Sequence, residues 1–139
     1  MENRYLYRGK RIDNGEWMEG HLITDEKDDL KYFIGYVLGT DEDGSPHDLD
    51  AVQVDPSTIC QCIGLKDKNG KLIWENDIME AHIDEDFPED VSRFKVEWNG
   101  KGWVENHPDG VDREYLDDFD TEHFKVVGNI FDNPELLEV

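Results

Sequence analysis

Apolar residues in this chain alternate over short stretches broken by turn residues, and no window repeats them at three and four positions across three helical turns. That pattern predicts strands throughout. Arg4 to Tyr7 reads as a first strand with Tyr5 and Tyr7 on one face. Gly9 to Gly15 reads as a turn, and Glu16 to Ile23 as a second strand. Lys31 to Leu38 is nearly continuously apolar and suits a central strand covered on both faces, with Gly35 marking a bulge or a close backbone approach. Asp41 to Asp50 reads as an acidic exposed loop, followed by short strands at Ala51 to Val54 and Thr58 to Ile63 around a turn at Asp55-Pro56-Ser57.

The second half is punctuated more sharply. Asn69-Gly70 and Asn99-Gly100 are hairpin signals, because Asn-Gly accepts the left-handed conformations that tight turns between strands demand. Strands are predicted at Lys71 to Trp74, Ile78 to Ile83, Arg93 to Trp98 with Phe94, Val96 and Trp98 on one face, a return strand from Trp103, and His123 to Phe131. Pro108 to Asp120 is an acidic excursion with room for one helical turn, and Asn133-Pro134 caps a terminal turn. The expected fold is therefore mainly β, with few short helical turns. Residues 66–139 form a small SH3-like barrel interrupted by acidic insertions, and the strands of 1–65 pack on it within one domain of 139 residues.

Composition supports a folded chain: charged residues make up 35%, but aromatic residues spread along the sequence reach 11% and supply apolar surface to bury. No apolar run approaches the roughly 18 residues of a membrane span, and the start Met-Glu-Asn-Arg-Tyr lacks the apolar core of a secretory signal, so a cytoplasmic location is expected. Cys60 and Cys62 fall on one face of a strand with Cα atoms about 6.5 Å apart, at the edge of disulfide reach; they read as small half-buried thiols.

Charge changes the picture most. Fourteen basic residues against 35 acidic ones give a net charge of −21. Glu80 to Asp90 holds six carboxylates and no base, and Glu105 to Glu122 holds eight with Arg113 alone opposing them. Such a surface repels phosphates, so direct nucleic-acid binding is not expected. A basic protein partner fits better.

Gln61-x-x-Gly-Leu-Lys-Asp-Lys-Asn-Gly-Lys71, Ile73-Trp-Glu-Asn-Asp-Ile78 and Val127-Gly-Asn-Ile-Phe-Asp-Asn-Pro-Glu-Leu-Leu137 occur in that order, preceded by Tyr5-Leu-Tyr-Arg-Gly-Lys10 and Asn14-Gly-Glu-Trp17. In these motifs the chain resembles the phage-borne YopX family over nearly its whole length. Asn76 stands where the family usually has glycine, and Asn is the next best residue at positive φ. The resemblance implies a phage or prophage protein of mainly β fold in a bacterial host cell, and it brings no catalytic residues to carry over.

Recognisable chemistry is sparse. Asp41-Glu42-Asp43-Gly44 fails the spacing of a calcium loop, which would need an Asp where Gly39 stands. His82-x-Asp84-x-Asp86 would align three ligands only if the strand continued that far, and the usual reading of such a run is a solvated face. The five histidines form no nucleophile-activating pattern, and no phosphate loop is present. No cofactor, metal or catalytic residue is therefore expected, and the favoured expectation is a non-enzymatic protein-binding or regulatory module. Its candidate surface is Glu80, Asp84, Glu85, Asp86, Glu89, Asp90 and Trp103, with Trp74 and Trp98 as further aromatic groups. Two alternatives remain: an acidic DNA mimic that inhibits a host DNA-binding protein, and an acid-site metal-dependent enzyme. Self-association is a further option, through the apolar Lys31 to Leu38 strand.

Overall fold

The computed structural model describes residues 6–27, 29–40, 46–82, 86–87, 91–108 and 114–137, side chains at 37–40 and 46–49 excepted. It is mainly β, with two antiparallel sheets and a single α-helix among the described residues. The chain divides into two compact units, Met1–Cys62 and Ile63–Val139.

In the first unit β1 (Tyr7–Lys10), β2 (Trp17–Asp25), β3 (Lys31–Thr40) and β4 (Pro46–Gln53) pair in succession, and β5 (Cys60–Lys66) adds beside β1. Strand β3 is central in the sheet, pairing with β2 on one side and β4 on the other, but it is not covered on both faces along its length, since Tyr36 is 40% exposed. Gly35 is a close approach: a Cβ there would run into the backbone of Asp50 and Ala51. Two strand boundaries also differ from expectation. The first strand runs from Tyr7 through Lys10 where a turn was expected from Gly9, because Gly9 pairs with Met18 and faces Val54 and Ile34 in the core; Arg4 and Tyr5 lie outside the described residues, and the turn is confined to 11–15. Residues 46–50 are strand, not loop, because Pro46 needs no donor at the strand's first position and 47–50 pair across to β3. Ile34, Val54, Cys60 and Cys62 are buried; the two thiols, expected half-buried, are fully buried and form no disulfide, and Cys60 Sγ donates to the Thr58 carbonyl at 3.3 Å.

In the second unit the remainder of β5 pairs with β6 (Leu72–Trp74), and β7 (Asp77–His82), β8 (Val91–Trp98), β9 (Trp103–Asn106) and β10 (Lys125–Asn129) form a sheet in the order β10-β7-β8-β9. Ile63, Ile73, Met79, Ala81, Phe94, Val96 and Phe124 make its core, with Trp103, Leu116 and Val126 packed against them. The helix α1 (Asp118–His123) is the one helical turn expected in the acidic excursion.

Three of the sequence motifs are joints of this fold. Asp67, buried at the β5–β6 hairpin, accepts the Asn69 and Lys71 N–H groups on Oδ1, each at 2.9 Å, and the Val126 N–H on Oδ2 at 2.8 Å. One carboxylate thus closes a turn and fastens it to β10. Asn76 does adopt positive φ, 69°, and its N–H and carbonyl bond Val96 and Ile130. Asn129 Oδ1 accepts from Phe131 and Asp132 N–H, while the side chain of Asn133 fills the space a Cβ on Gly128 would need.

Candidate functional site

The β8–β9 hairpin and the segment 114–123 that lies along it bring together the aromatic and acidic residues of interest. Period-two alternation puts Phe94, Val96 and Trp98 of β8 on the same face as Trp103 and Glu105 of β9, since Val96 pairs with Glu105 and Trp98 with Trp103. The inner end of this face is core. At its outer end the hairpin turn leaves Trp98 48% exposed.

There Trp98 and Trp103 meet edge to face with ring centroids 5.1 Å apart. Asn99 Oδ1 holds the turn by accepting the Lys101 and Gly102 N–H groups at 2.9 Å, and its Nδ2 donates to the Tyr115 hydroxyl at 3.4 Å. Tyr115 is 54% exposed, yet its ring lies where a Cβ on Gly102 would be. Trp98 and Trp103 therefore form an aromatic pair at the hairpin tip, while Tyr115, bridged to Val104, lies on the opposite face of β9 over Gly102, with Lys101 and Glu114 exposed nearby. Trp74 does not contribute: it is 2% exposed, because the β5–β6 hairpin directs it inward.

Tyr115 is held by backbone pairing. Val104 and Tyr115 form a bridge, Glu105 N–H donates to the Glu114 carbonyl at 2.8 Å, and Leu116 N–H donates to the Trp103 carbonyl at 3.0 Å. Below these bonds Glu105 occupies a core-facing position, 7% exposed, and meets Asp120 of α1, 4% exposed. His107 Nε2 lies 2.8 Å from Glu105 Oε1, and the His107 ring contacts Phe94. Asp117 and Asp120 form a reciprocal capping box at the start of α1: each side chain accepts the other's backbone N–H. Burial raises the Glu105 and Asp120 carboxyls above the usual range. Asp120, which also hydrogen-bonds Glu105, is pushed up to about 7, with the negative charges of Glu105 and Asp117 adding to the effect.

The other acidic run behaves differently. Glu80 is not a free surface carboxylate: Arg93 Nε donates to its Oε2 at 2.8 Å across β7 and β8, and its side chain is 13% exposed. Asp86 is exposed, and Asp84, Glu85, Glu89 and Asp90 lie outside the described residues. His82 is exposed at the end of β7, and no group of three metal-ligating side chains is gathered among the described residues. In the first unit a mostly apolar cleft of about 410 Å³ is lined by Ile23, Thr24, Asp25, Phe33 and Ala51.

Tyr115, Glu105, His107 and Asp120 were missed as site residues in the sequence. Two signals were present. Continuing the alternation from Trp103 places Glu105 and then His107 on the core face, and Asp117-x-x-Asp120 has capping-box spacing.

No helix among the described residues is long and apolar enough to cross a membrane. No curated protein matches the chain. Among solved structures it is similar to protein yopX from Bacillus subtilis, with 17% identity, 98% of each chain covered and a TM-score of 0.56. It is also similar to protein EF1440 from Enterococcus faecalis, with 24% identity, 95% of this chain and 96% of that chain covered, and a TM-score of 0.54. At these identities the likeness is one of fold. The YopX protein family model matches residues 6–138, and so the chain, by its motifs and by nearly its whole length, belongs to the YopX family.

Proposed function

We propose that this chain is a non-enzymatic binding module of phage origin, acting in the bacterial cytoplasm. Its docking surface is the tip of the β8–β9 hairpin, with the Trp98–Trp103 pair on one face and Tyr115 on the other, and its partner is a protein segment bearing Lys or Arg beside apolar groups. The exposure of Trp98 and Tyr115 at one hairpin tip, on either side of Asn99, carries the reading. Exposed Trp and Tyr are the residues most often found at the centre of protein interfaces, where they bury large rigid surfaces at low entropic cost. A net charge of −21 and the acidic run 105–122 select for a basic partner and speed its approach. Burial of the Glu105–Asp120 pair favours binding over catalysis, since neither carboxyl faces solvent where a substrate would enter.

DNA mimicry is less well supported. It needs a dense row of free carboxylates at about the phosphate spacing, and Glu80, the first of the run, is already paired with Arg93.

The test titrates the full chain with synthetic peptides that are basic and apolar, basic and wholly polar, or acidic, reading tryptophan fluorescence at low and moderate salt. Basic apolar peptides should bind saturably, and W98A and Y115A should each weaken them roughly tenfold, as loss of an interface anchor does. Equal binding of the polar basic peptides, or affinities unchanged in both variants, would reduce the interaction to charge alone and sink the proposal.

A further inference from the structure

The strap that holds Tyr115 against the β8–β9 hairpin tip is fastened at two levels. Backbone bonds from Glu105 to Glu114 and from Leu116 to Trp103 lay residues 114–116 along β9, and beneath them the side chains of Glu105 and Asp120 meet carboxyl to carboxyl out of water. Two carboxylates in contact cannot both stay ionised in such a place, so the closed arrangement requires one shared proton.

We infer that the Glu105–Asp120 pair is a proton-operated latch: with one proton held between the two groups the strap lies closed along β9 and Tyr115 is held over Gly102 at the hairpin tip. With both groups ionised the strap is released and Tyr115 leaves the hairpin tip. Its consequence for binding rests on the docking surface proposed above; the latch itself does not.

The surroundings set which member holds the proton. Asp120, the more deeply buried of the two, carries the proton and donates it to Glu105, whose Oε1 lies 2.8 Å from His107 Nε2. Glu114 and Asp117, on the strap, add negative charge against the pair and drive opening once the proton leaves. His123, also on the strap, stacks on Phe119 and places Nδ1 2.9 Å from the Phe119 carbonyl, so it is the second histidine whose titration must be separated from the latch. Burial and the neighbouring negative charges push Asp120 up to about 7, so the closed arrangement holds its proton through the acidic range and is weakened towards neutrality.

Hydrogen exchange on the full chain between about pH 5.5 and 8.5, corrected for intrinsic rates, tests this. The Glu105 and Leu116 amides should lose protection progressively as pH rises towards about 7 and level off above it, while the amides of β7 and β8 keep theirs. In D120N, and independently in E105Q, the amide supplies the missing donor at every pH, so protection should persist throughout and the transition should vanish. The double variant H107Q/H123Q should retain it. Protection unchanged to pH 8.5 in the wild-type chain, a transition surviving in both amide variants, or one abolished in H107Q/H123Q would each overturn the latch. Peptide binding across the same pH range separates the two readings: exchange that switches while binding stays constant upholds the latch and counts against the docking surface.

Discussion

Removing the Asp67 carboxylate tests how much of the second unit hangs on a single joint. In D67A three backbone N–H groups lose their acceptor: Asn69 and Lys71 at 2.9 Å and Val126 at 2.8 Å. Asn69 and Lys71 are exposed, so water replaces much of what they lose, at about 0.5–1 kcal/mol each. Val126 is partly buried against the core beside an irregularity in the β7–β10 register, and its N–H has less access to water; about 2 kcal/mol is lost there. The sum, roughly 3–4 kcal/mol, is a large share of the ~5–15 kcal/mol that typically holds a domain together. D67N should lie between, near 2 kcal/mol, because the amide keeps one oxygen for the turn but aims N–H₂ at the Val126 N–H. Urea unfolding followed by tryptophan fluorescence reads the difference; with a slope of about 1.5–2 kcal/mol/M, D67A should lower the midpoint by roughly 2 M without changing the slope. A D67A midpoint within about 0.3 M of wild type would refute the assignment of Asp67 as a joint.

Other outcomes follow from the same geometry. Asp120 has its folded-state pKa raised from 3.8 to about 7, so its contribution is complete below pH 4 and is lost as pH rises through 7; at 1.36 kcal/mol per pH unit, halved for solvent screening, that is about 2 kcal/mol. Wild type minus D120N in urea unfolding isolates this from the general relief of repulsion in an acidic chain, and a difference flat from pH 4 to 8 would contradict it. Cys60 and Cys62, both fully buried, should react with a thiol reagent only as fast as the chain opens, and rapid native labelling would place them wrongly. F94A, which empties the centre of the second core, should lose about 3–5 kcal/mol in chemical unfolding. R93A, by contrast, removes a pair that is one-third exposed on the Arg side and should lose under about 1 kcal/mol by the same measurement.

Most of the fold was legible because its signals are local. Asn-Gly hairpins, the apolar run of β3 and the alternation of Phe94 and Val96 each declare a conformation within a few residues. The errors came where pairing overrode local preference. Gly9 suggested a turn, yet its lack of a side chain is what lets β1 pass close over Val54 and Ile34. Acid and proline suggested a loop at 46–50, yet backbone pairing with β3 is indifferent to side-chain charge on an edge strand. Asp67 was readable as a turn residue, but nothing local could announce its bond to Val126, 59 residues away.

The candidate site was half visible for the same reason. An exposed tryptophan is identified by what fails to cover it, and coverage is a property of the assembled sheet; so Trp74 and Trp98, alike in sequence, part company at 2% and 48% exposure. The acidic runs misled more deeply. Counted as charge, Glu80 to Asp90 and Glu105 to Glu122 are equivalent solvated surface. In three dimensions Glu80 is neutralised by Arg93, whereas Glu105 and Asp120 are driven together inside the unit by strand alternation and a capping box. A carboxyl pair stabilises such a position only by retaining a proton, and an apolar pair would fill it without that condition. Placing the pair beneath the strap that holds Tyr115 therefore makes the aromatic surface depend on pH, a dependence that no count of charges would reveal.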